Sequence, residues 1–188
     1  MKGWYGESYR HGLASRGIKS RAIINPIASP EMFDPKIYGP GTPKGIREFR
    51  GSGLTVVNER DVIEKINEII DVANQGKLSH VKGRLDTPIE IKSIYIVGSR
   101  VSGFHKEGSD IDVYIQLKQT NNYPQDFDYI DRVVSRIDET LDKLDTDVFG
   151  LGIEKDGDWI KIDIFYDWEH PNENIPDRPV LKIWETGT

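Results

Sequence analysis

The sequence predicts an α+β protein: an α/β sandwich with a mixed sheet of about four strands and helices packed mainly on one face. Three observations predict it. Two segments, over about residues 59–75 and 126–144, repeat apolar residues at helical spacing. Two others, 110–117 (DIDVYIQL) and 159–166 (WIKIDIFY), alternate apolar and polar residues with period two. Along the chain the order is helix, strand, strand, helix, strand, strand, which suits a sheet with one helical layer.

Residues 1–57 form an irregular, basic, Gly/Pro-rich N-terminal extension, and 58–188 the folded domain. Turn signals recur in the extension at Asn25-Pro26, Ser29-Pro30, Asp34-Pro35, Gly39–Pro43 and Gly51-Ser52-Gly53. No helical or strand period is sustained there. Trp4, Tyr5, Tyr9 and Phe33 favour partial docking of this stretch on the body.

From Asn58 the pattern changes. Val62, Ile63, Ile66, Ile69, Ile70 and Ala73 make one helical stripe, and Gly76 sits where a C-terminal cap belongs. Ile89–Val97 reads as a strand running into Gly98-Ser99. Residues 110–117 read as the next strand. The second helix carries Phe127, Ile130, Val133, Val134, Ile137, Leu141 and Leu144 on its stripe. A hairpin follows: Asp147–Gly152, a turn through Glu154-Lys155-Asp156-Gly157, and Trp159–Tyr166, with the Asp-Gly pair as its signal. Val180–Trp184 reads as one more short strand.

Length and composition set the frame. A chain of 188 residues suits one domain with an extension. With no Cys, a disulfide framework, a thiolate zinc site, an Fe–S cluster and a Cys nucleophile are excluded. No stretch reaches the ~20 apolar residues of a membrane span, and the first residues lack the apolar core of a signal peptide. A soluble, cytoplasmic protein is the expectation. The net charge of −6 hides an asymmetry: residues 1–50 are +5 and the remainder is −11. A basic head on an acidic body suggests that the two parts meet different things.

The chemistry lies in the acids of the body. On strand 110–117, Ile111, Val113 and Ile115 share one face, and Asp110, Asp112 and Tyr114 the other. On strand 159–166, Ile160, Ile162 and Ile164 share one face, and Lys161, Asp163 and Phe165 the other. If both apolar faces cover one core, Asp110, Asp112 and Asp163 converge on the opposite face. Like charges side by side destabilise a sheet, and a divalent cation removes that penalty. Oxygen-only ligands suit Mg²⁺ or Mn²⁺ rather than zinc. Upstream, Gly98 permits close backbone approach to a phosphate, and the Ser99 hydroxyl and following N–H groups can donate to it. Arg100 and Lys106 are candidate phosphate ligands, although a solvated loop is as good a reading. Ser109 joins Gly98, Ser99 and Arg100 as a nucleotide-binding candidate, and Phe165 or Tyr114 as a flank for a base.

The stretch GSRVSGFHKEGSDIDVYI with the later strand KIDIF resembles the DNA polymerase β-type nucleotidyltransferase superfamily, especially its minimal nucleotidyltransferases. That pattern is Gly-Ser, about ten residues, Asp-x-Asp, and a third acid on a neighbouring strand; the likeness spans roughly residues 60–166. The resemblance implies a nucleotidyltransferase-like fold and a reaction in which an acceptor hydroxyl attacks the α-phosphorus of an NTP and expels pyrophosphate. It implies two metal ions bridged by Asp110 and Asp112, with Asp163 completing the second and helping to activate the acceptor. It implies that Gly98 and Ser99 hold the β- and γ-phosphates. The acceptors used within that family are proteins, RNA ends and small molecules, and small members often belong to toxin–antitoxin pairs. In one departure, Ser102 stands where many minimal members carry Arg, with Arg100, Lys106 or a head residue as the basic substitute. This bears on triphosphate affinity and substrate class rather than on fold.

Two other features of the sequence bear on function. Gly12–Ser20 nearly spells a P-loop, but the lysine is one position late and no strand precedes it, so it is rejected. The basic head, with its interleaved aromatics, suits single-stranded nucleic acid, the acidic body itself or a second copy in a homo-oligomer. A non-catalytic nucleotide- or nucleic-acid-binding regulatory module is therefore the alternative to the enzyme.

Overall fold

The computed structural model describes residues 48–50, 56–80, 85–98, 100, 109–123, 125–145, 150–169 and 180–187. A small antiparallel ladder pairs β1 (Glu48–Arg50) with β2 (Val56–Asn58). Then come α1 (Glu59–Gln75), β3 (Ile91–Val97), β4 (Ile111–Leu117), α2 (Phe127–Leu144), β5 (Gly152–Lys155), β6 (Asp158–Trp168) and β7 (Val180–Glu185). Among the described residues the main sheet has five strands in the order β5-β6-β4-β3-β7. Only the β4–β6 pair is parallel within it; the other neighbours are antiparallel. That parallel pair needs a crossover, and α2 supplies it.

Helix α1 starts on a capping box. The Asn58 side chain accepts from the Asp61 N–H at 3.1 Å, and the Asp61 carboxylate accepts from the Asn58 N–H at 2.8 Å. Gly76, with φ of 65°, closes the other end in the left-handed conformation. Val62, Ile66, Ile69, Ile70 and Ala73 are buried along one stripe. The last turn of α1 has no basic residue of its own. Arg136 of α2 serves it instead, donating from Nη1 to the carbonyls of Ala73 at 3.2 Å and Asn74 at 2.9 Å. This contact also fixes α1 against α2.

Helix α2 is capped by Asp126, whose side chain accepts from the Tyr129 N–H. Its apolar stripe, Ile130, Val133, Val134, Ile137 and Leu141, meets the α1 stripe and the apolar faces of β3, β4 and β6 in one core. The expected helical layer on one sheet face is therefore present. Phe127 departs from the expected stripe: at the first turn, it is 50% exposed.

The strand limits show where local chemistry overrides pattern. Asn74 binds both backbone groups of Ile89, accepting its N–H at 2.7 Å and donating to its carbonyl at 3.0 Å. The ladder therefore begins at Ile91 rather than Ile89. The strand before the hairpin is Gly152–Lys155, later than the expected Asp147–Gly152, of which residues 147–149 lie outside the described set. Asp156 and Gly157 turn with φ of 53° and 81°, the left-handed pair that a tight hairpin requires. β6 runs on to Trp168, which stacks on Tyr123 at 4.6 Å.

The packed body also reaches further back than expected. β2 crosses the 57/58 division, and Val57 is fully buried in the core. Residues 1–47 lie outside the described set. Among the described residues no helix is long and apolar enough to cross a membrane.

Candidate active site

The face of the sheet away from the helices carries the acids. In the parallel β4–β6 ladder Asp112 is the register partner of Asp163, and Tyr114 of Phe165. Asp112 also pairs with Val97, the last residue of β3. Two carboxylates thus come from neighbouring strands at one level of the sheet, next to the turn that leaves β3. Gly98 forms that turn with φ of 77°, and a Cβ built there would stand 2.6 Å from Asp112 Oδ2. The turn needs glycine twice, for its backbone angle and for the room the carboxylate occupies.

Asp110 lies just before β4, two positions ahead of Asp112. Its Oδ2 is 3.7 Å from Lys161 Nζ, on β6. Lys161 is two residues before Asp163 and so shares its face. A second cation lies deeper. Arg100 is only 5% exposed, and its Nη2 donates to the Ser109 carbonyl at 2.6 Å. Burial pushes its pKa down, while the charges of Asp110 and Asp112 oppose that shift. Arg100 therefore ties the end of β3 to the approach to β4, within electrostatic reach of both acids.

The family model for the nucleotidyltransferase domain matches residues 78–172, half of the chain. The chain belongs to the nucleotidyltransferase family. The matched span holds Gly98, Asp110, Asp112 and Asp163 together with Arg100 and Lys161, and agrees with the polymerase β-type resemblance of the sequence. Comparisons with curated proteins and with solved structures return no match.

Within this nucleotidyltransferase domain the donor set suits a hard divalent cation: carboxylate oxygens, no thiolate, and a glycine that leaves the Asp112 carboxylate room against the backbone. The side chains are not drawn together on one point. Among the described residues, no group of three His, Asp or Glu side chains is close enough to hold an ion. The register places Asp112 beside Asp163, while Asp110 faces Lys161. Ligation by all three acids would need rotation about their side-chain bonds, which partly exposed carboxylates permit.

The other expected site residues fall as follows. Ser99, Ser102 and Lys106 lie outside the described residues. Arg100 is an interior cation here rather than part of a solvated loop, and Ser109 engages it through its carbonyl. Tyr114 is fully buried beside Val97, with Tyr95 and Phe165 packed against them, so it offers no open face to a base. Phe165 remains partly exposed. The residue that sequence reasoning passed over is Lys161. The signal was present: strand alternation puts it on the same face as Asp163, two positions away.

Proposed function

We propose that this nucleotidyltransferase moves a nucleoside monophosphate from an NTP to a hydroxyl acceptor in a reaction that depends on divalent cations, Mg²⁺ or Mn²⁺. The observation that carries the reading is the register of Asp112 with Asp163 beside the Gly98 turn. Asp110, Asp112 and Asp163 are the residues that would hold two ions. When bound, these ions would neutralise phosphate charge and polarise the α-phosphate. Gly98 and Ser99 would receive the β- and γ-phosphates, with Arg100 and Ser109 bracing the same corner. The acceptor oxygen attacks the α-phosphorus in line, the bond to the pyrophosphate oxygen breaks, and Asp163 takes up the acceptor proton. Positioning and charge neutralisation supply most of the rate.

The acceptor in this reading is a macromolecule, protein or nucleic acid. The +5 charge of residues 1–50 is the feature that would draw a polyanionic one. Pairing with an antitoxin-like partner would supply such an acceptor.

The test uses each NTP labelled at the α-phosphate, with Mg²⁺ or Mn²⁺ and cell lysate. Label should move onto an acceptor as pyrophosphate is released. Asp112→Ala and Asp163→Ala should each lower transfer about a thousandfold or more, the scale on which metal charge acts. Transfer that survives Asp112→Ala, or no transfer from any NTP, sinks the reading.

A further inference from the structure

We infer that Lys161 is a resident counter-ion of the acidic cluster, displaced from Asp110 when a metal–triphosphate complex enters, so that it opposes bare-metal binding and favours the complex. The inference rests on the proposed metal site. Three acids on one sheet face repel one another, and among the described residues two cations, Arg100 and Lys161, lie near enough to offset that repulsion. They are built differently. Arg100 is interior and held by the Ser109 carbonyl at 2.6 Å, so its charge is fixed. Lys161 is 51% exposed, and its Nζ lies 3.7 Å from Asp110 Oδ2, an ion-pair distance longer than a hydrogen bond.

The stem of Lys161 is guided rather than clamped. Gly150 turns beside it with φ of 71°, and a Cβ there would be 3.3 Å from Lys161 Cε. The turn is tied down by Asp145, whose Oδ1 accepts from the Leu151 N–H at 3.1 Å. Glycine at 150 therefore lets the chain pass close to the lysine without displacing it, while the ammonium end stays in solvent. A lysine is a compact charge on a flexible stem. An exposed pair of this kind is weak and exchanges readily.

Two consequences follow from this placement. A bare divalent ion at Asp110 must compete with the Lys161 charge. A triphosphate brings its own negative oxygens to the same place, where the ammonium can turn to them and free Asp110. Lys161 therefore shifts the two affinities in opposite directions, which makes metal and triphosphate mutually dependent.

The experiment titrates the full chain in two ways: with Mn²⁺ alone, followed by the paramagnetic resonance of the free ion, and with preformed Mn²⁺–inorganic triphosphate, followed by calorimetry. Lys161→Met should bind bare Mn²⁺ about two- to fivefold more tightly and the complex about two- to fivefold more weakly, the range expected for one exposed pair. Lys161→Arg should restore both affinities to near wild type. Unchanged affinities in Lys161→Met, or a shift of both in the same direction, overturn the inference. Asp110→Asn and Asp112→Ala separate the layers. If they lose Mn²⁺ while Lys161→Met matches wild type, the inference alone fails. If they bind Mn²⁺ as wild type does, the metal site falls and the inference falls with it.

Discussion

The acids of α2 and the acids of the open sheet face are partnered by different means. Glu139 is buried, with its carboxylate accepting from the His80 N–H at 2.6 Å and hydrogen-bonded to His80 Nδ1. Asp138, also buried, accepts from the Tyr166 hydroxyl at 2.8 Å. The His80 N–H is fixed by the backbone and the Tyr166 hydroxyl by core packing, while the His80 ring itself is half exposed. Asp110, Asp112 and Asp163 are partly exposed, and the cation beside Asp110 is a solvent-borne lysine. An acid that holds a fold is given donors that stay in place. On the open face, the cation beside Asp110 is one that can leave.

Gly98→Ala attacks the open face and should have a larger effect than substitution of either fold-holding acid, Glu139 or Asp61. The new methyl would meet Asp112 Oδ2 on a backbone angle that alanine adopts poorly. Transfer activity should fall about a hundredfold through displacement of the carboxylate. Thermal unfolding should report a loss of about 1 kcal/mol or somewhat more. Activity close to wild type would show that Asp112 need not sit against this turn.

Glu139→Gln attacks the other side of the comparison. Burial alone would raise the Glu139 carboxyl, but the His80 N–H, the Ser79 hydroxyl and the His80 ring together hold it below its usual 4.5. A lowered carboxyl pKa stabilises the fold above the unfolded value, and that contribution is lost as pH falls through the folded value. Denaturant unfolding at neutral pH should show the variant weaker by about 1–3 kcal/mol. Its acid limb below about pH 4.5 should be flatter than that of wild type. Turnover per folded molecule should not change; a fall would mean that the two sets of acids are not separate.

Asp61→Ala gives the smallest effect and sharpens the contrast within the fold-holding class. It removes the capping box of α1 and the 2.7 Å bridge to Lys155. The expected cost is about 1 kcal/mol in chemical denaturation, with no change in transfer rate.

Much of this was legible in the sequence because it rests on period and local chemistry. Both helices, with Gly76 as a cap, follow from spacing, and Asp156-Gly157 marks the hairpin. The shared face of Asp112 and Asp163 follows from alternation. What was not legible depends on contacts distant in sequence. Asn74 takes the backbone of Ile89 away from β3. The short β5 has too few residues to show a period, and Val57 enters the core through a ladder of three residues per strand. Arg100 looked like a loop residue because nothing local reveals that it is buried. Lys161 was visible as a neighbour of Asp163, but its partner Asp110 lies on another segment, and only the β4–β6 register brings them together.

The strand order β5-β6-β4-β3-β7 also has a consequence for the order in which the molecule can be completed. β3 and β4 are made first, and each waits for a partner from late in the chain: β6 for β4, and β7 for β3. A growing chain that has reached α2 thus exposes two open strand edges, both beside the future site. Its third acid has not yet been synthesised. The proposed site is therefore incomplete until β6 is made, and over that interval the open edges invite mispairing.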